Sequence, residues 1–307
     1  MSNIKFHGVM PALVSPVNED GTLRRGVVKP LVDFMLEAGC TGFYVCGATG
    51  EGVVMQPEAR MEMVEAVVEA VSGHKLPDGS RPYVIDHIGA VDLLTAKKLA
   101  AHAAAAGADA VSSVPPFFYA YGDDGMYDYY SALSDAAGIP LLMYACPLSG
   151  VPVTLEMVDR LMTIPNMIGL KWTNPNYFIM WKISALNGGD INIINGPDET
   201  LVCGLTMGAH AGIGSTYNIA PKSFVKIYDA VQRGDIETAR REQYKVNRLI
   251  VIMHKYASIP VVKKILEFNG FDVGNCTYPL KRLTDGECAS LKEDLKAIGY
   301  ENGLFID

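Results

Sequence analysis

The chain has 307 residues, 49% of them hydrophobic and 20% charged, which is the balance of a packed globular protein and excludes a disordered one. Its net charge of −8 excludes nucleic-acid binding driven by overall electrostatics, and an anionic substrate has to be held by local donors. The opening residues lack the apolar stretch of a secretory signal, and no run reaches the length of a membrane span, so a cytoplasmic protein without membrane contact is expected.

Taken in chain order, short apolar runs alternate with amphipathic ones. Strands are predicted over 8–14, 42–46, 83–87, 110–114, 141–144, 168–171, 191–195 and 211–214. Helices are predicted between them, over 27–38, 57–71, 93–106, 126–137, 155–162, 177–186 and 199–207. Three of these helices stop in a glycine and pass directly into a strand, at Gly39, Gly107 and Gly208, as expected of βα units. Eight such units predict an α/β fold, a closed (β/α)8 TIM barrel, with a doubly wound open sheet as the alternative. Beyond about residue 221 only helices are predicted: 223–232, which closes the barrel, then 236–253, 259–268 and 287–297. The expected organisation is a catalytic barrel over 1–232 and a C-terminal helical extension over 233–307, packed together as one compact unit because no Gly/Ser-rich linker separates them.

Six cysteines, at 40, 46, 146, 203, 276 and 288, form no Cys-x-x-Cys pair and read as reduced thiols. The six histidines have no metal-ligand spacing, so no metal is expected.

Catalytic groups of a barrel lie at the C-terminal ends of its strands. Lys171 ends the apolar run Met167-Ile168-Gly169-Leu170-Lys171. A lysine there is costly to desolvate and needs either a partner, such as Glu51, or a chemical role. A desolvated amine loses its proton readily and can then attack a carbonyl to form a Schiff base. Other strand ends bring further polar groups. The second is followed by Gly47-Ala48-Thr49-Gly50-Glu51, a turn whose free amides suit a carboxylate. The fifth ends in Tyr144, readable as a core tyrosine or as a proton shuttle. Thr173 lies just past the sixth. The seventh leads to Asn195-Gly196-Pro197-Asp198-Glu199, where the acids also read as helix caps, and the eighth to Gly214-Ser215-Thr216-Tyr217-Asn218.

This constellation resembles the pyruvate-dependent class I aldolase family that contains dihydrodipicolinate synthase and N-acetylneuraminate lyase. The likeness runs from Gly8 to beyond Asn218. It implies that Lys171 forms the Schiff base, that Tyr144 shuttles protons and that the Ala48 and Thr49 amides hold the pyruvate carboxylate. No cofactor is then needed. No arginine follows Tyr144 in the run Ala145-Cys146-Pro147-Leu148-Ser149-Gly150, which departs from the synthase pattern. Leu170-Lys171-Trp172-Thr173, Asn195-Gly196-Pro197-Asp198-Glu199 and Gly214-Ser215-Thr216-Tyr217-Asn218 look like the lyase pattern.

The lyase likeness implies cleavage of N-acetylneuraminate to N-acetylmannosamine and pyruvate. Thr173, Gly196, Asp198, Glu199 and Ser215 would join the substrate-binding set, with the acids and the serine on the sugar tail. Three departures stand out. Ala48 replaces a hydroxyl residue, Phe118 stands where many relatives carry a tyrosine that reaches a neighbouring subunit, and the loop after Tyr144 is one residue short. The alternatives are an aldolase or dehydratase of another 2-oxo sugar acid, a synthase-like enzyme, or a non-catalytic sugar-acid binder. A homotetramer is expected, with the aromatic stretch Phe117-Phe118-Tyr119-Ala120-Tyr121 suited to a subunit contact.

Overall fold

In the computed structural model, which describes residues 5–305, eight parallel strands alternate with helices. The strands are β1 (Gly8–Pro11), β2 (Gly42–Val45), β3 (Tyr83–His87), β4 (Ala110–Ser113), β5 (Leu141–Ala145), β6 (Met167–Trp172), β7 (Asn192–Asn195) and β8 (Ala211–Gly214). The helices that follow them are α1 (Arg25–Glu37), α2 (Pro57–Val71), α3 (Leu93–Ala106), α4 (Gly122–Ala137), α5 (Leu155–Leu161), α6 (Tyr177–Ser184), α7 (Leu201–Thr206) and α8 (Pro221–Gln232). Each strand is buried on both faces, which is why the strand sequences read as nearly unbroken apolar runs.

The ladder runs β1-β8-β7-β6-β5-β4-β3-β2. Closure comes from the residues just after β1: Ala12 bridges Tyr44 of β2, and the Leu13 amide donates to the Tyr44 carbonyl at 2.9 Å. The run predicted as one strand over 8–14 is therefore shorter. It leaves β8 after Pro11 and turns across to β2. The result is the predicted eight-stranded TIM barrel. Gly39, Gly107 and Gly208 all adopt positive φ, at 96°, 93° and 100°, a conformation that a side chain would oppose.

One apolar layer fills the barrel, with Met10, Tyr44, Ile85, Leu142, Ile194 and Ile213 among its members, and a second layer lies between strands and helices. The C-terminal segment supplies α9 (Ile236–Tyr256), α10 (Ser258–Phe268) and α11 (Asp285–Ala297). The first of these caps itself with Asp235, which accepts from the Thr238 amide, and the third with a Thr284–Glu287 capping box. Their links to the barrel converge on its C-terminal rim: Gln243 donates to the Asp198 carbonyl, Asn247 to the Glu199 carbonyl, and Lys263 of α10 reaches Glu51.

A hairpin that the helix-only expectation omitted follows α11, pairing β9 (Tyr300–Glu301) with β10 (Leu304–Phe305). Its turn is Asn302-Gly303, both at positive φ, a sequence signal for a tight hairpin. Among the described residues no helix is long and apolar enough to cross a membrane.

Candidate active site

The site is set by strand register. Tyr144 of β5 pairs with Lys171 of β6, which pairs with Ile194 of β7, so the three form one layer. Tyr144 and Ile194 both belong to the inner core, and alternation along the strand turns Lys171 inward beside them. The lysine is 5% exposed. Its Nζ lies over the Tyr144 ring, 4.1 Å from the centroid, and 4.9 Å from that of Tyr44.

No hydrogen bond or ion pair to Lys171 exists among the described residues, and Glu51 is not its partner. That carboxylate forms a buried ion pair with Lys263 and accepts from the Thr277 amide at 2.6 Å. Burial lowers the Lys171 pKa to about 8, with Cys146 and Asp198 opposing the shift. A neutral amine is thus within reach near neutral pH. Burial raises Tyr144 well above the ordinary phenol value, and Cys146 and Tyr44 push the same way.

The Gly47–Glu51 loop is held tightly. Cys46 and Glu51, at either end, take left-handed φ values of 54° and 59°. Gly50 presses against the Leu13 carbonyl and Gly52 against that of Cys46, with no room for a Cβ at either. Ser15 donates to the Gly50 carbonyl at 2.7 Å. The amides of Ala48 and Thr49 donate to no group among the described residues, which leaves two adjacent donors for an anion. Ala48 is exposed to a cavity of about 280 Å³, and Thr49 is buried. Tyr144, His87, Cys146, Leu148 and Ile259 also line that cavity.

The remaining predicted residues take distinct positions. Thr173 follows β6, and its amide donates to the Ala145 carbonyl at 2.9 Å. Its buried hydroxyl lacks a partner of standard geometry. Gly196 donates to the Trp172 carbonyl and packs against the Thr173 side chain with no space for a Cβ.

Asp198 is buried, and its Oδ2 accepts from the Thr216 amide at 2.7 Å and from the Ser215 hydroxyl at 3.5 Å. Burial pushes its pKa up to about 6, against the pull of those Thr216 contacts. It thus ties the loop after β8 to the loop after β7 and does not cap α7, for which no side-chain cap exists. Glu199 is exposed, with its carboxylate unpaired among the described residues. Ser215 is half-buried.

Three inward residues escaped the sequence reading: Tyr44, His87 and Cys146. The signal for His87 was available, since it ends the predicted third strand. Tyr44 lies one turn of the pleat before a strand end, and Cys146 lies beyond one, so neither position carried a signal.

The model of the dihydrodipicolinate synthetase family matches residues 5–298. The N-acetylneuraminate lyase of Rhizobium meliloti (strain 1021) is 33% identical over 290 residues, which cover 94% of each chain. Among solved structures, the N-acetylneuraminate lyase of Proteus mirabilis superposes with a TM-score of 0.90 at 27% identity, covering 97% of this chain and 100% of that one. A catalytic lysine mutant of the Ruminococcus gnavus sialic acid aldolase superposes with a TM-score of 0.89 at 28% identity, covering 95% of both chains. A match of this length, on a barrel with a buried unpaired lysine at its sixth strand end, identifies the chain as a member of the dihydrodipicolinate synthetase family, the pyruvate-dependent class I aldolases.

Proposed function

We propose that this aldolase cleaves N-acetylneuraminate to N-acetylmannosamine and pyruvate through a Schiff base on Lys171. The observation that carries the reading is the amine itself: buried, without a carboxylate partner, over the Tyr144 ring, with its pKa lowered to about 8. The choice of substrate leans on the lyase relatives and on the lyase-like motifs after β6, β7 and β8.

In this mechanism the neutral amine attacks the 2-keto carbon of the open-chain sugar acid and water leaves. The protonated imine then draws the electrons of the C3–C4 bond as it breaks. Tyr144 relays the proton of the C4 hydroxyl. Its phenol is held neutral by burial, so it passes its own hydrogen to the substrate carboxylate as it accepts the new one. The Ala48 and Thr49 amides hold that carboxylate. Protonation of the enamine at C3 and hydrolysis release pyruvate and restore the amine. Thr173 and Gly196 border the reacting end, while Glu199 and Ser215 receive hydroxyls of the sugar tail, with Asp198 holding their loops together.

Cleavage of a different 2-oxo sugar acid is the second reading. It is favoured by Ala48, which brings no hydroxyl to the cavity wall.

The test is incubation with pyruvate and borohydride, followed by intact-mass and peptide analysis, beside a cleavage assay on N-acetylneuraminate and other sugar acids. One reduced pyruvate on Lys171 and preferential N-acetylneuraminate cleavage are expected. A label on another lysine rejects the mechanism, and preference for another acid rejects the substrate. Glu199→Ala is expected to weaken cleavage roughly ten- to a hundredfold while trapping of pyruvate is kept.

A further inference from the structure

His87 is the last residue of β3, is buried, and is used by none of the steps above. It lines the cavity together with Ala48 and Tyr144. Its ring meets the Tyr144 ring edge-on, with centroids 5.9 Å apart and planes at 89°, and stands 6.2 Å from Tyr44. Both ring nitrogens are engaged. Nδ1 lies 3.1 Å from the Cys46 carbonyl, and the Val114 amide points at Nε2 from 3.3 Å.

These two partners leave one tautomer. A carbonyl can only accept, so Nδ1 carries the hydrogen. An amide N–H can only donate, so Nε2 is bare. The imidazolium has no place here, because its Nε2–H would face the Val114 N–H. Burial, reinforced by Arg60, lowers the His87 pKa to about 3. From outside the barrel wall the Arg60 guanidinium grips the carbonyls of His87, at 2.5 Å, and of Gly89, at 3.0 Å, which fixes the backbone that carries the ring.

The ring therefore joins three consecutive strand ends. It starts from β3, holds Cys46 just beyond β2 and is held by Val114 just beyond β4. Cys46 is the left-handed residue from which the Gly47–Glu51 loop departs. We infer that His87 is a positioning residue of this aldolase: its Nδ1–H anchors the root of the loop whose amides receive the substrate carboxylate, and its ring sets the orientation of Tyr144. This rests on the Schiff-base reading of the site given above.

The two halves of the role separate by substitution. In His87→Asn the side-chain amide nitrogen replaces Nδ1, so the tie to Cys46 is kept while the ring beside Tyr144 is lost. In His87→Gln the side-chain oxygen replaces Nε2, so the tie to Val114 is kept while that to Cys46 is lost.

The experiment measures pyruvate half-saturation by borohydride trapping and turnover with N-acetylneuraminate, for the wild-type enzyme and both variants. His87→Gln is expected to raise half-saturation roughly tenfold, since a buried carbonyl loses its donor. His87→Asn is expected to keep half-saturation within about twofold and to lower turnover roughly tenfold, since Tyr144 loses the wall that orients it. Equal and parallel losses in both variants, or none in either, overturn the inference.

A measurement on the unsubstituted enzyme guards against variants that do not fold. Imidazole ¹⁵N shifts at pH 7 are expected to show hydrogen on Nδ1 and none on Nε2. The opposite tautomer, or an imidazolium, overturns the inference. Failure of the wild-type enzyme to trap pyruvate rejects the Schiff-base reading instead, so the two outcomes are distinguishable.

Discussion

The reactivity proposed for Lys171 follows from where its charge is not. With Glu51 committed to Lys263, Cys146 and Asp198 oppose the loss of the proton only in part. The folded-state pKa therefore lies below the usual lysine value, and the amine is protonated below about pH 8 and free above it. The rate of pyruvate trapping is expected to climb about tenfold per pH unit as pH rises towards 8 and to level off above it. Stopped trapping at a series of pH values checks this, and a flat profile between pH 6 and 9 contradicts it. Tyr144→Phe removes the proposed relay but leaves the amine. Imine formation is expected to persist while cleavage slows by roughly 10²–10⁴-fold, as single-turnover kinetics would reveal. Wild-type cleavage in that variant would move the relay to another hydroxyl, with Thr173 the nearest candidate.

One step up, the elements explain why the Gly47–Glu51 loop keeps its shape. A glycine-rich turn with two left-handed non-glycine residues is not rigid by itself. Its last residue, Glu51, is locked from the far end of the chain by α10 through Lys263 and by the Thr277 amide, 226 residues away in sequence. Both members of the pair are almost wholly buried. Replacing Lys263 by Met leaves the carboxylate buried without its cation, at a cost of about 3–5 kcal/mol. Chemical denaturation is expected to show that loss, and the double variant Glu51→Gln/Lys263→Met is expected to recover much of it. Equal stability of single and double variants would mean that the pair is not coupled. The helical extension thus works as a brace for the loop as well as a cover for the barrel.

At the scale of the whole molecule the aromatic segment after β4 stands out. Phe118 is 86% exposed at a φ of 83°, and Tyr119 is 68% exposed, with their rings packed edge-on against each other. Large apolar rings on strained backbone at a surface are costly unless a second molecule covers them. We propose that this segment lies in the contact of a homotetramer. Light scattering at micromolar concentration is expected to give four copies, and Phe118→Asp with Tyr119→Asp is expected to give smaller species. A wild-type monomer would reject the assembly.

Much was legible in the sequence because barrel strands announce themselves. Burial on both faces forces apolar runs, glycines mark the helix stops at 39, 107 and 208, and a barrel places its catalytic groups at strand ends, so Lys171, Tyr144 and the loops at 47–51 and 195–199 stand out as candidates from order along the chain. The hairpin at 300–305 was written in Asn302-Gly303 and went unread. What only the tertiary structure decided is pairing. Whether Glu51 meets Lys171 or Lys263, whether Asp198 caps a helix or clasps Thr216, and whether His87 fills space or ties three strands together are questions about groups far apart in sequence. Local pattern fixes which face of an element is buried. The partner of a buried polar group is chosen by how the elements pack, and a one-dimensional period carries no record of that choice.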